Sequence, residues 1–132
     1  MAKKRRLAEV EWELMDGVWQ LERQVTVRDV VNHLYPNGEK AYTTVQTIMN
    51  ILAEKGVLDR EKIGPVNVYT PAVSREDVAR SETRTLVSRM FDGSFGALAT
   101  YLVDSGELSK KELDELRALI EERENAKEGG ST

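Results

Sequence analysis

Thr43, Gln46, Thr47 and Asn50 are the side chains in this 132-residue chain whose chemistry is easiest to name. Separated by steps of three, one and three, they share one face if the stretch is helical. None is charged, and each carries a hydroxyl or an amide. A face shaped for solubility alone more commonly carries Glu and Lys. Hydroxyls and amides are what a helix uses to touch base edges in a DNA major groove. Gln46 and Asn50 are the candidate base readers, because a terminal amide pairs bidentately with adenine. Thr43 and Thr47 suit a phosphate or a thymine methyl. Thr44, with Lys40, Arg60 and Lys62, is placed to hold the sugar-phosphate backbone. For Arg60 and Lys62 the alternative is ordinary charge on a solvated hairpin. The tail Lys3-Lys4-Arg5-Arg6 has two readings, a phosphate or minor-groove contact and a solvated tail.

Other chemistry has little to work with. There is no cysteine, which excludes disulfides and thiolate metal sites, and one histidine, His33, which leaves a histidine-built zinc site without ligands. No G-x-S-x-G is present, and Gly93 and Gly96 lack the Gly-Lys that a phosphate loop requires. The aromatic residues alternate with core positions and make no RNA stacking platform. No catalytic residue, metal or cofactor is therefore assigned. No apolar run approaches the roughly 18 to 20 residues of a membrane helix, and the basic start has no apolar stretch behind it, so a cytoplasmic protein is expected. The net charge of −4 is unevenly spread: residues 1–75 carry 11 Lys and Arg against 10 Asp and Glu, residues 76–132 carry 8 against 13. Phosphate attraction follows the local field, so the first half can face DNA while the acidic half stays off it.

These residues need elements to position them. Val45, Ile48, Met49 and Leu52 fall at i, i+3, i+4 and i+7, a buried stripe opposite the polar face, and Gly56 stops that helix. Val57 to Ile63 and Asn67 to Thr70 read as strands joined by Gly64-Pro65-Val66, with Arg60 and Lys62 on one strand face. Before them, a helix from Ala8 to about Gln20 carries Trp12 and Trp19 as core anchors. A second starts at an N-cap, Thr26, with Asp29 completing a capping box, and repeats Val27, Val30, Val31 and Leu34. Tyr35-Pro36-Asn37-Gly38 ends it, with His33 a surface residue near its C-terminus. The order is that of a winged helix-turn-helix. Three helices follow: one capped by Ser74 and Asp77 and ended by Asp92-Gly93, one capped by Ser94, and one opened by a Ser109/Glu112 capping box. Phe95, Leu98 and Leu102 stripe the second of these, and Leu113, Leu116 and Ile120 the third. Two short amphipathic helices leave apolar surface wet, which a second copy of the chain would cover; the alternative is a monomer with these helices folded back. The expected fold is mainly α with a β wing: a DNA-binding domain over residues 1–72, a helical dimerisation domain over 73–124, and a disordered tail over 125–132.

Trp12-Glu13-Leu14-Met15, Tyr42-Thr43-Thr44-Val45-Gln46-Thr47, Leu52-Ala53-Glu54-Lys55-Gly56 and a hairpin ending at Tyr69 occur here in a fixed order. Phe91-Asp92-Gly93-Ser94 and Leu108-Ser109 through Leu116 complete it. Over residues 7–124 this resembles the penicillinase and methicillin-resistance repressor family, which has copper-responsive relatives. The resemblance implies a dimeric winged-helix repressor on a dyad-symmetric operator, with the third helix in the major groove and the C-terminal helices making the dimer. In the β-lactam branch it also implies a membrane metalloprotease sensor system and cleavage in the dimerisation helix at an Asn-Phe bond. The matching positions are Tyr101 and Leu102, where that Asn is absent. The copper branch uses a C-terminal cysteine cluster, which this chain lacks. Two other readings stand beside the repressor: a winged-helix protein–protein module, and a ligand-responsive regulator.

Overall fold

A computed structural model describes residues 6–130 of the chain. The elements run α1 (Glu9–Leu21), α2 (Val27–Leu34), α3 (Tyr42–Glu54), β1 (Leu58–Ile63), β2 (Val66–Pro71), α4 (Arg75–Met90), α5 (Phe95–Asp104) and α6 (Lys110–Gly130). Among the described residues, no helix is long and apolar enough to cross a membrane. Lys3, Lys4 and Arg5 of the basic tail lie outside the described residues, as do Ser131 and Thr132.

Local chemistry sets most boundaries. The Asp29 N–H donates to Thr26 Oγ1 at 3.1 Å and the Thr26 N–H donates to Asp29 Oδ2 at 2.9 Å, a closed capping box at the start of α2. The Thr26 N–H, the largest influence, holds the Asp29 carboxyl below its ordinary pKa. Ser74 with Asp77 and Ser109 with Glu112 repeat the pattern at α4 and α6, and Ser94 Oγ accepts from the Ala97 N–H at α5. α3 stops in a Schellman turn: Val57 N–H reaches the Leu52 carbonyl, Gly56 N–H reaches that of Ala53, and Gly56 takes φ +82°. β1 and β2 pair antiparallel with Ile63 opposite Val66, so only Gly64 and Pro65 form the loop. Val66 therefore belongs to β2, against the expected three-residue connection. Gly64 at φ +62° followed by proline suits a type II′ turn, whose twist matches the strands.

The chain divides into two compact units, Met1–Thr85 and Leu86–Thr132. In the first, Leu14, Met15 and Val18 of α1, Val30 of α2, Val45, Met49 and Leu52 of α3, and Tyr69 of β2 are fully buried in one core. Val25 pairs with Tyr69 in an isolated bridge, so the segment between α1 and α2 stitches the hairpin to the helices. Trp12 and Trp19 are half-buried at the rim of this core. Each also uses its indole N–H: Trp12 donates to Glu82 and Trp19 to the Val73 carbonyl.

Two expectations need correcting. The division falls after Thr85 and not after residue 72, because Val78 is fully buried in the first core and Glu82 also accepts from the Leu7 N–H at 2.9 Å. The part of α4 up to Thr85 thus belongs to the N-terminal unit. The tail expected to be disordered from residue 125 is helical to Gly130. Ala126, Lys127 and Glu128 carry good intrinsic helix propensity, so the helix continues after the apolar stripe has ended.

Candidate nucleic-acid interface

α3 presents the surface that its spacing predicts. Val45, Met49 and Leu52 are fully buried and Ile48 is half-buried, while Thr43, Thr44 and Thr47 are exposed and Gln46 is half-buried. The helix has no acidic residue in its first turn, and its N-cap, Ala41, offers no side-chain acceptor. The positive end of its dipole therefore stays uncompensated by the chain's own carboxylates in that turn.

Asn50 departs from its expected role. Its Oδ1 accepts from Tyr69 Oη at 2.8 Å and from Arg60 Nη1 at 2.9 Å. Adenine pairing needs that oxygen as an acceptor, so the bidentate geometry expected of Asn50 is not available in this arrangement. The cause is the hairpin register. Arg60 lies directly opposite Tyr69, which puts both on one sheet face, the one that meets Asn50 of α3. Arg60 is exposed but leans onto α3 through this bond, whereas Lys62, opposite Asn67, is exposed with no ion pair among the described residues. Burial raises the Tyr69 phenol above its usual pKa, with Arg60 opposing the rise.

Lys40 sits half-buried with Nζ 5.3 Å from the centroid of the Tyr35 ring, and Tyr35 Oη donates to Glu13 at 2.9 Å. Its charge is thereby held against the turn that leads into α3. Two residues beyond the expected site, Arg28 and Tyr42, meet beside this face. The Arg28 guanidinium stacks 4.7 Å over the Tyr42 ring, and both line an open groove of about 420 Å³ with Gln46, Pro65 and Asn67. The periodicity that turns Val27, Val30 and Val31 inwards turns Arg28 outwards, so the signal was present in α2. Its approach to the polar face of α3 has no periodicity of its own, because the contact crosses between helices.

In the second unit, the expected dimerisation residues Phe95, Leu102, Leu116 and Ile120 are 54, 40, 40 and 58% exposed, and Leu98 and Leu113 are half-buried. Tyr101 and Leu102 lie within α5, and Tyr101 packs on Phe91 with ring centroids 5.8 Å apart. His33 is exposed and its Nε2 lies 2.9 Å from Gln20 Oε1. Among the described residues no group of three or more His, Cys, Asp or Glu could hold a metal ion.

The sequence profile of the family described as Penicillinase repressor matches residues 7–122. A penicillinase repressor from Bacillus licheniformis is 27% identical over 127 residues, covering 96% of this chain and 98% of that protein. The methicillin resistance regulatory protein MecI of Staphylococcus aureus is 22% identical over 117 residues, covering 89% of this chain and 94% of its own. The solution structure of the DNA-binding domain of the repressor BlaI superposes with a TM-score of 0.51 at 30% identity, over 58% of this chain and 93% of that one.

Proposed function

Because the chain belongs to the penicillinase repressor family, and is thus a DNA-binding transcriptional repressor and not an enzyme, we propose that it grips a dyad-symmetric operator as a homodimer. Each protomer lays the outward face of α3 in a major groove, with the two reading helices about one helical turn (~34 Å) apart. The observation that carries this reading is the uncharged row of Thr43, Gln46 and Thr47 on α3, bordered by the cations Arg28 and Arg60, with Lys62 exposed on the hairpin. The cations meet phosphates and set the register, while the amide and hydroxyls meet base edges. The open groove beside Gln46 belongs to the same surface, and a bound duplex would cover it. Phe95, Leu102, Leu116 and Ile120 supply apolar area for the twin subunit. Repression follows from excluding polymerase, a role that needs no chemical step.

Purified protein titrated against the duplex upstream of its own gene tests this directly. The expected result is a selective complex of two protomers per site, with log affinity falling linearly as log salt rises. Failure to bind any duplex at low ionic strength would overturn the reading.

A further inference from the structure

We propose that Asn50 reads the operator as a hydrogen-bond donor, with guanine its preferred base, and that Arg60 is the positioning residue that makes it so; this rests on α3 lying in the major groove. The orientation of the amide is unambiguous. Arginine has donors and no acceptor, so the atom that meets Arg60 Nη1 at 2.9 Å must be the oxygen. Tyr69 is fully buried, and its hydroxyl finds its hydrogen-bond partner in that same oxygen at 2.8 Å. A carbonyl oxygen has two lone pairs, and both are taken.

The amide nitrogen is left to face outwards. Nδ2 bonds to no described residue, and no buried side-chain atom lacks a partner, so it is reachable from solvent. It stands on the helix face shared with Gln46 and Thr47. A group that can only donate seeks an acceptor. Guanine shows two in the major groove, O6 and N7, with no donor beside them, whereas thymine shows one, O4, beside its methyl group, adenine sets its N6 donor next to N7 and cytosine shows a donor. Gln46 differs: among the described residues no hydrogen bond engages its amide, so it keeps the acceptor and the donor that adenine requires. Two amides one helical turn apart would then specify different bases, because the hairpin occupies the acceptor of one of them.

The test is selection from a randomised duplex library by the full-length protein and its variants. Wild type is expected to select a motif containing a guanine whose identity depends on residue 50. Asn50→Asp keeps an oxygen for Tyr69 and Arg60 but presents an acceptor outwards, so that position should lose guanine by at least about tenfold and turn towards cytosine. Arg60→Met frees a lone pair on Asn50, so adenine should join guanine at the same position while the rest of the motif stays. A merely structural role for Arg60 would weaken the whole motif evenly and leave that base unchanged, which would overturn the assignment. So would adenine at the position that responds to Asn50→Asp in the wild-type motif, or no response at any position, while leaving α3 as the reading helix. A motif that neither Gln46→Ala, Thr47→Ala nor Asn50→Asp alters would instead remove the underlying reading. Failure to select any motif would do the same.

Discussion

The N-terminal unit and the C-terminal helices contain similar apolar stripes and treat them in opposite ways. In the first, Leu14, Met15, Val18, Val45, Met49 and Leu52 are sealed from solvent by α1, α3 and the hairpin. In the second, no residue of α5 is buried, and Phe95, Tyr101, Val103, Leu119 and Ile120 each remain about half exposed. The difference lies in the number of elements that close on each stripe. Three helices and a stapled hairpin can surround a core, but two helices cannot surround one. A stripe left open at this scale is the area that the proposed homodimer would cover. One unit closes on its own stripes, and the other leaves its stripes open to solvent.

The strongest challenge to this contrast is Leu116→Asp. A charge in the open stripe should yield monomers by light scattering and lower operator affinity about 10²-fold or more, because the two half-sites are no longer linked. Unfolding of the N-terminal unit should be unaffected. A dimer of unchanged mass would break the comparison. Matched truncations sharpen it. Leu52→Ala, at a fully buried position, should cost about 2–5 kcal/mol in denaturant unfolding, whereas Leu119→Ala, 47% exposed, should scarcely change unfolding of the monomer. Equal losses at both positions would mean that α6 has a closed core of its own.

Gly17→Ala probes how tightly the first unit is built. A Cβ there would lie 2.6 Å from Leu34 Cδ1 and 2.7 Å from its Cγ, so α1 and α2 must part or Leu34 must move. A loss of about 1–3 kcal/mol is expected, read as a lower denaturation midpoint. The smallest effect concerns the capping box of α2. The Asp29 pKa is lower in the folded chain than its ordinary 3.8, so its stabilisation is present above that pH and is lost as pH falls through the folded value. Thr26→Ala should cost about 1 kcal/mol at neutral pH and flatten this acid dependence; an unchanged acid limb would show that the box contributes nothing.

Much of the architecture was legible because it rests on short-range chemistry. The Thr26/Asp29, Ser74/Asp77 and Ser109/Glu112 boxes act over three residues, and their side chains form the expected bonds. The stripes of α2 and α3 follow helical period directly. The exposed face of Thr43, Gln46 and Thr47 was legible for the same reason. The second role of Asn50 was not, since Arg60 and Tyr69 lie 10 and 19 positions away and meet it only through the hairpin register. Glu11 shows the same limit. It is a carboxylate on α1, yet it is buried and paired at 2.6 Å with Lys55, 44 positions away. Arg28 over Tyr42 and Glu82 beneath Trp12 are likewise products of packing.

The order of residues by itself determined where helices begin and end, which side of each is apolar, and which side chains of α3 face outwards, because these depend on backbone period and on groups a few positions apart. Only the tertiary structure decided which outward amide keeps its acceptor, where the first unit ends along α4, and which cations border the polar face of α3. Those outcomes depend on contacts between segments far apart in the chain, and such contacts exist only once the hairpin and helices have closed on a shared core.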